Sequence, residues 1–173
     1  MTYTDLHKLT PVDTTTEPKA NRFGMTQAYF LGENDRWLDI CIKARLPFGV
    51  QYAFKQDGFQ LSIPEDCIES VDKLKQFEDP INQSEQFASM FKKGYLNIKV
   101  AKNSMFFNQE GDMLVTDSIE DFKREFPRQC EVKILATPYI WKQTNGHYGI
   151  KLKLKQVKLH SKPVNVTESI CYV

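Results

Sequence analysis

The chain has 173 residues, of which 41% are hydrophobic and 26% charged, and its formal net charge is +1. That length suits one domain with tails, and the composition supports a buried core. The near-neutral total excludes a uniformly basic nucleic-acid binder of the histone kind, so any electrostatic function must rest on where the charges lie. They lie unevenly: residues 65–85 carry seven acids against Lys73 and Lys75, whereas residues 133–162 carry seven lysines and no acid.

In chain order, residues 1–22 are polar, with two prolines and no apolar period, and are expected to be a flexible tail. Residues 23–31 begin the sheet. Residues 36–44 alternate, with Leu38, Ile40, Ile42 and Ala44 on one face and Trp37, Asp39, Cys41 and Lys43 on the other, which predicts a strand. Two apolar runs flank Lys55-Gln56-Asp57-Gly58, a hairpin signal. Pro64 followed by acids predicts a helix start, with Ile68, Val71 and Leu74 as its apolar stripe. Asn82 with Glu85 resembles a capping box, and Phe87, Met90 and Phe91 then predict a second helix ending at Gly94. Strands follow at 95–102, 105–107 and 113–115, then a short helix capped by Ser118 and ended by Pro127, then a strand over 131–136.

Residues 133–162 organise the rest. Two apolar runs surround Thr144-Asn145-Gly146-His147, a strong hairpin signal. In the second run Ile150, Leu152 and Leu154 fall on one face, and Lys151, Lys153 and Lys155 on the other. The alternation slips phase at Gln156, because Val157 and Leu159 are odd, which predicts a β-bulge. Residues 163–173 form a short tail. Strands dominate without regular βαβ alternation. The expected fold class is therefore mainly β (α+β): a small closed five-stranded barrel of the oligonucleotide-binding (OB) type with inserted helices, spanning 23–162.

No catalytic set stands out. His7, His147 and His160 lack metal-ligand spacing, the four cysteines form no CxxC pair, and there is no Gly-rich phosphate loop. A metal-dependent nuclease needs convergent carboxylates on strands, and Asp39 is the one strand acid flanked by such a pattern. No enzyme, metal or cofactor is expected. Cys41 and Cys130 read as small apolar fillers in a reduced protein. The chain opens without a signal-peptide pattern and has no apolar run of membrane-spanning length, so a cytoplasmic place and no membrane partner are expected.

Cations beside exposed aromatics suit single-stranded nucleic acid, whose bases stack on rings while phosphates meet lysines. The candidate stacking residues are Trp37, Tyr95, Tyr139, Trp141 and Tyr148. The candidate cations are Lys92, Lys93, Lys142, Lys151, Lys153, Lys155 and Lys158. For the lysines the alternative is the solvated face of a half-buried strand; for the aromatics it is packing at the barrel rim.

The stretch ATPYIWKQTNGHYGIKLKLKQVKL (136–159) resembles the C-terminal part of the single-stranded DNA-binding proteins of podovirus-type phages and of several large DNA viruses. The positions that carry the likeness are Pro138, Tyr139, Trp141, Gly146, Gly149, Ile150, Lys151, Leu152, Gln156 and Val157, with GYLNIKV (94–100) and MFFNQEG (105–111) as central strands. The resemblance implies an OB-fold, sequence-independent binding of single-stranded DNA, and a viral role in replication and recombination, in the host cytoplasm or nucleus. It also implies polymerase or helicase as further partners, although the end of this chain, SKPVNVTESICYV, lacks the family's acidic tail. A homodimer is compatible with this reading. Its rivals are a structural or assembly protein with a basic face, and an RNA-binding regulator on the same fold.

Overall fold

The structure, a computed structural model, describes residues 3–10, 14–49, 60–115 and 119–163. Among them are ten strands and two short helices, in the order β1 (Thr4–Asp5), β2 (Lys19–Ala20), β3 (Thr26–Tyr29), β4 (Ile40–Leu46), β5 (Gln60–Pro64), α1 (Val71–Glu78), β6 (Phe87–Ala88), β7 (Phe91–Lys92), β8 (Tyr95–Phe107), α2 (Ile119–Glu125), β9 (Cys130–Lys142) and β10 (Tyr148–Ser161). All strands join one sheet whose main path runs β1-β4-β9-β10-β8-β5; β3 lies beside the end of β9, and β2, β6 and β7 flank it on β3, β10 and β8. The β9–β10 hairpin is antiparallel, whereas β8 and β10 are parallel.

Period-2 alternation builds the core. Ile40, Ile42, Ala44 and Leu46 of β4 meet Val132, Ile134 and Ala136 of β9, then Ile150, Leu152 and Leu154 of β10, then Leu96, Ile98 and Val100 of β8, and all are buried. Phe122 and Phe126, from α2 and the residue just beyond it, close one side against Phe106. The phase slip at Gln156 is a bulge: Leu154 pairs with Ala136 but Gln156 pairs with Leu135, which leaves Lys155 as the extra residue. Val157 and Leu159 thereby return to the core side. Pro138 sits inside β9 without breaking it, because it lies where β9 changes partner, from β4 up to Ala136 to β3 from Tyr139 onward.

Several expectations are corrected. Residues 3–10 are not a loose tail: Thr4 and Asp5 pair with Ile40 and Cys41, and Leu6 and Leu9 are buried in the core. Lys19 and Ala20 pair with β3. No helix begins at Pro64, which ends β5; a 3-10 turn over Glu65–Cys67 precedes α1, and Leu74 and Phe77 form the buried stripe of α1. The helix expected over 82–94 is replaced by β6, β7 and a turn in which Lys93 and Gly94 take positive φ. Its backbone is claimed from outside, since the Glu78 carboxylate accepts from the Met90 N–H at 2.8 Å and from the Ser89 hydroxyl at 2.6 Å.

The pairing path is open rather than the closed ring expected from sequence. One bridge, Ala44 to Ile68, and a hydrogen bond from the Glu69 N–H to the Lys43 carbonyl (3.0 Å) bring the chain after β5 back against β4. The hairpin expected around Gly58, the cap at Ser118 and nearly all of the C-terminal tail lie outside the described residues. No described helix is long and apolar enough to cross a membrane.

Candidate nucleic-acid interface

The face opposite the core is read directly from the registers. On β10 it carries Lys151 and Lys153; Lys151 lies opposite Tyr139 of β9, and Lys153 lies between Thr137 of β9 and Lys99 of β8. The tight β7–β8 turn adds exposed Lys92, Lys93 and Tyr95 to the same end of the sheet. The ammonium of Lys151 is held below the ordinary lysine range, first by burial and then by the charges of Lys99 and Lys92. Nonlocal pairing therefore gathers Lys92, Lys93, Tyr95, Lys151 and Lys153 from the sequence prediction and adds Lys99, which that prediction missed. Its signal was present, since Lys99 is on the polar side of an alternating run, but nothing local said which other lysines it would meet.

Beside this cluster is an aromatic strip. Trp37, half exposed at 53%, stacks on Tyr29 with centroids 3.9 Å apart and planes within 2°. Tyr29 in turn tilts against Tyr139 at 5.5 Å. Trp37 is thus exposed, and Tyr29 is a ring partner that sequence missed.

Tyr139 and Trp141 are corrections, since both were expected to be exposed platforms. Tyr139 is 2% and Trp141 6% exposed. They are on the lysine face by parity, but neighbouring strands flank them there: Tyr29 and Gln27 of β3 lie opposite them on one side, and Gly149 and Lys151 of β10 on the other. Burial, with a smaller contribution from Tyr29, pushes the Tyr139 phenol up to about 12. The Trp141 ring spreads towards Gly149: a Cβ at that glycine would meet Trp141 Cζ2 at 3.3 Å and the Ala88 carbonyl oxygen at 2.1 Å. Lys151 Nζ caps the ring 4.6 Å from its centroid, a cation–π contact.

Tyr148 and Lys142 are also displaced. They are register partners on the even positions of their strands, so they fall on the opposite side of the sheet from Lys151. The Tyr148 hydroxyl donates to the Ile81 carbonyl at 2.7 Å, which gives it a structural task. Lys158, beyond the bulge, belongs to a different row, opposite Lys133.

Lys155, the bulged residue, is not a bare cation. Its Nζ pairs with Asp39 Oδ2 at 2.8 Å, and Asp39, 8% exposed, also accepts from the Thr137 hydroxyl. Asp39 is thus half of an internal ion pair, and no group of three His, Cys, Asp or Glu that could hold a metal occurs among the described residues. Lys155→Ala would leave a buried carboxylate with only Thr137. The expected loss is about 3 kcal/mol, the low end for a broken buried pair because the lysine side chain is 40% exposed. Adding Asp39→Asn removes the stranded charge and should restore most of that loss; urea unfolding of the single and double variants measures both.

No protein-family model and no curated protein matches the sequence. Solved structures do. The single-stranded DNA-binding protein from bacteriophage Enc34 superposes with a TM-score of 0.50 at 14% identity, over 94% of this chain and 99% of that chain. Its C-terminal truncation gives a TM-score of 0.49 over 91% of this chain and 98% of that one, again at 14% identity. The same phage protein in complex with ssDNA gives 0.46 over 91% and 97%, also at 14% identity. This chain shares the fold of a phage single-stranded DNA-binding protein.

Within this shared fold the cationic and aromatic parts of the face meet at one place. Lys151 caps Trp141 and lies opposite Tyr139, with the Trp37–Tyr29 stack on one side and Lys99, Lys92 and Tyr95 on the other. No ion-pair partner occurs among the described residues for Lys92, Lys93, Lys99, Lys151 or Lys153. Bare lysines held side by side repel one another, and an anion laid over them relieves that repulsion.

Proposed function

We propose that this protein binds single-stranded DNA without sequence preference, as a non-enzymatic factor in viral DNA replication and recombination. The observation that carries the reading is the cluster of Lys92, Lys93, Lys99, Lys151 and Lys153, brought together from three strands and a turn on a face that also bears exposed Tyr95 and Trp37. Phosphates would lie on the lysines, and bases would stack on Trp37 and Tyr95. Trp141, Tyr139 and Lys155 hold that face in shape from beneath.

The strand order supports the same reading. Taken alone, β4, β5, β8, β9 and β10 are neighbours in the order first, fourth, fifth, third, second, which fits the partly open Greek-key barrel of OB-folds. In that architecture the second and third strands, here β5 and β8, carry the oligonucleotide face, and Lys99 and Tyr95 are on β8. The similarity to a phage single-stranded DNA-binding protein supports the reading at the level of fold.

The test is tryptophan fluorescence during titration with oligo-dT, oligo-U and duplex DNA. Oligo-dT should quench the exposed Trp37 and bind well ahead of duplex. Preference for one duplex sequence would overturn the reading, and preference for oligo-U would move it to RNA, a choice set by contacts to the 2′-OH.

Lys151 supplies a pH prediction. A lysine whose folded pKa is depressed carries a folding penalty at low pH that disappears as pH rises through the folded pKa towards the unfolded value. A bound polyanion favours the charged form and raises that pKa. Affinity should therefore fall with rising pH in the alkaline range, before an ordinary lysine near 10.5 would lose its proton. Lys151→Arg stays charged and should hold its affinity to higher pH in the same oligo-dT titration.

A further inference from the structure

We infer that Lys43, Lys133 and Lys158 form a second phosphate contact, separate from the cluster around Lys99, so that a long single strand continues along β10 onto a second set of cations. This rests on the single-stranded DNA reading above. Lys43 of β4 lies opposite Lys133 of β9, and Lys133 lies opposite Lys158 of β10. The three side chains stand side by side across adjacent strands on the face away from the core, spanning roughly 10 Å at the usual strand spacing. Lys43 and Lys158 are exposed, and Lys133 is half-buried.

Like charges directly opposite each other destabilise a sheet, and here the arrangement occurs twice in one row. None of the three has an ion-pair partner among the described residues. Acids lie in the neighbourhood, Glu110 and Asp112 flanking the Gly111 that the Lys158 ammonium approaches, but none forms an ion pair with the row among the described residues. Glu131, in the next row, accepts from the Ser161 hydroxyl at 3.2 Å. Asp5 lies opposite Cys41 on the outer edge of β4, and Glu69 touches β4 through its backbone N–H. Arg45 is occupied with Gln129 and with Cys67 Sγ. The Cys41–Leu135–Gln156 row on the other side carries no charge.

The shape of the row indicates the ligand. Three ammonium groups in a line, without a fork of donors or an enclosed pocket, suit a chain of phosphates better than one small anion. The row and the first cluster share β10, where Lys153 and Lys158 are five residues and roughly 16 Å apart. Between them the Lys155–Asp39 pair is electrically neutral, so it neither repels a passing strand nor holds it. A short oligonucleotide fits on the first cluster alone, whereas a longer one reaches both.

The experiment compares the wild-type chain with the triple variant Lys43→Ala, Lys133→Ala, Lys158→Ala, using oligo-dT of about 6 and about 20 nucleotides, which bracket the usual site sizes. The short oligonucleotide should bind both proteins within about twofold. For the long one the variant should lose at least about tenfold in affinity, and its log–log salt slope should fall by about two, near 0.7 per lost contact. Its melting temperature at low salt should be unchanged or higher, because repulsion is relieved. If removing the half-buried Lys133 prevents folding, Lys43→Gln with Lys158→Gln keeps that stem, and the expected fall in slope is about 1.4. Long-oligonucleotide affinity and slope equal to wild type in a folded variant would overturn the second contact while short-oligonucleotide binding leaves the first intact. Wild-type protein that binds neither length would overturn both readings together.

Discussion

Trp141→Ala is expected to cost about 3–5 kcal/mol of stability, the range for removing a large aromatic side chain from a core. The ring is 6% exposed, lies against the space left by Gly149 and is capped by Lys151. Its strand is paired on both sides, to β3 at Gln27 and to β10 at Gly149, so the hole cannot close by moving an edge. The indole Nε1 is buried and has no hydrogen-bond partner among the described residues. Removing it forfeits no hydrogen bond, and the cost is packing together with the Lys151 cation–π contact. At roughly 2–4 °C per kcal/mol for a chain of this size, the melting temperature should fall by about 6–20 °C. Trp141→Phe keeps a ring against Gly149 and should lose clearly less. A melting temperature within about 2 °C of wild type, together with a large loss of oligo-dT affinity, would return Trp141 to the binding surface.

The second large effect is on binding. Lys92→Ala, Lys99→Ala and Lys153→Ala together should lower the salt slope for oligo-dT by about two, because each phosphate contact on a single strand contributes roughly 0.7. Between 1 M and 0.1 M salt, that change in slope corresponds to about a hundredfold weaker binding at the lower concentration. Stability should not fall with it. Lys92 and Lys99 are exposed and Lys153 half-buried, none has a described ion pair, and Lys99 opposes Lys153 directly, so their removal relieves repulsion. Lost affinity with retained or raised stability is the mark of a ligand-facing cluster, whereas a merely solvated lysine face would leave the slope unchanged. Lys151 and Lys155 are omitted deliberately. The first caps Trp141 and the second neutralises Asp39, so removing either mixes structural damage with lost contacts.

What local sequence determined about this protein is what depends on near neighbours. The turn around Asn145-Gly146, with Gly146 at φ +93°, set the β9–β10 hairpin. Alternation of Ile150, Leu152 and Leu154 with lysines set which face of β10 is buried, and the slip at Gln156 placed the bulge at Lys155. Alternation likewise put Trp37, Asp39, Cys41 and Lys43 on one side. Each of these rests on a period or on a turn of a few residues.

Tertiary structure decided the rest, wherever a residue's fate depended on a distant partner. Phe87, Met90 and Phe91 have helical spacing, yet they became β6, β7 and a turn, because Gly149 admits the Ala88 carbonyl and Glu78 captures the Met90 N–H and the Ser89 hydroxyl. Leu6 and Leu9 are isolated apolar residues in a polar stretch, and they are buried only because β1 docks on β4. Tyr139 and Trp141 have the parity of the lysine face, but side chains of β3 and β10 pack beside them; no local pattern announces a strand that arrives from a hundred residues earlier. The cluster around Lys99 is nonlocal in the same way, since β8 and β10 meet through a parallel register that sequence periodicity does not encode. Side-chain direction follows from a period of two, but whether a lysine or an indole then meets water, another charge or a packed ring depends on which strands become neighbours.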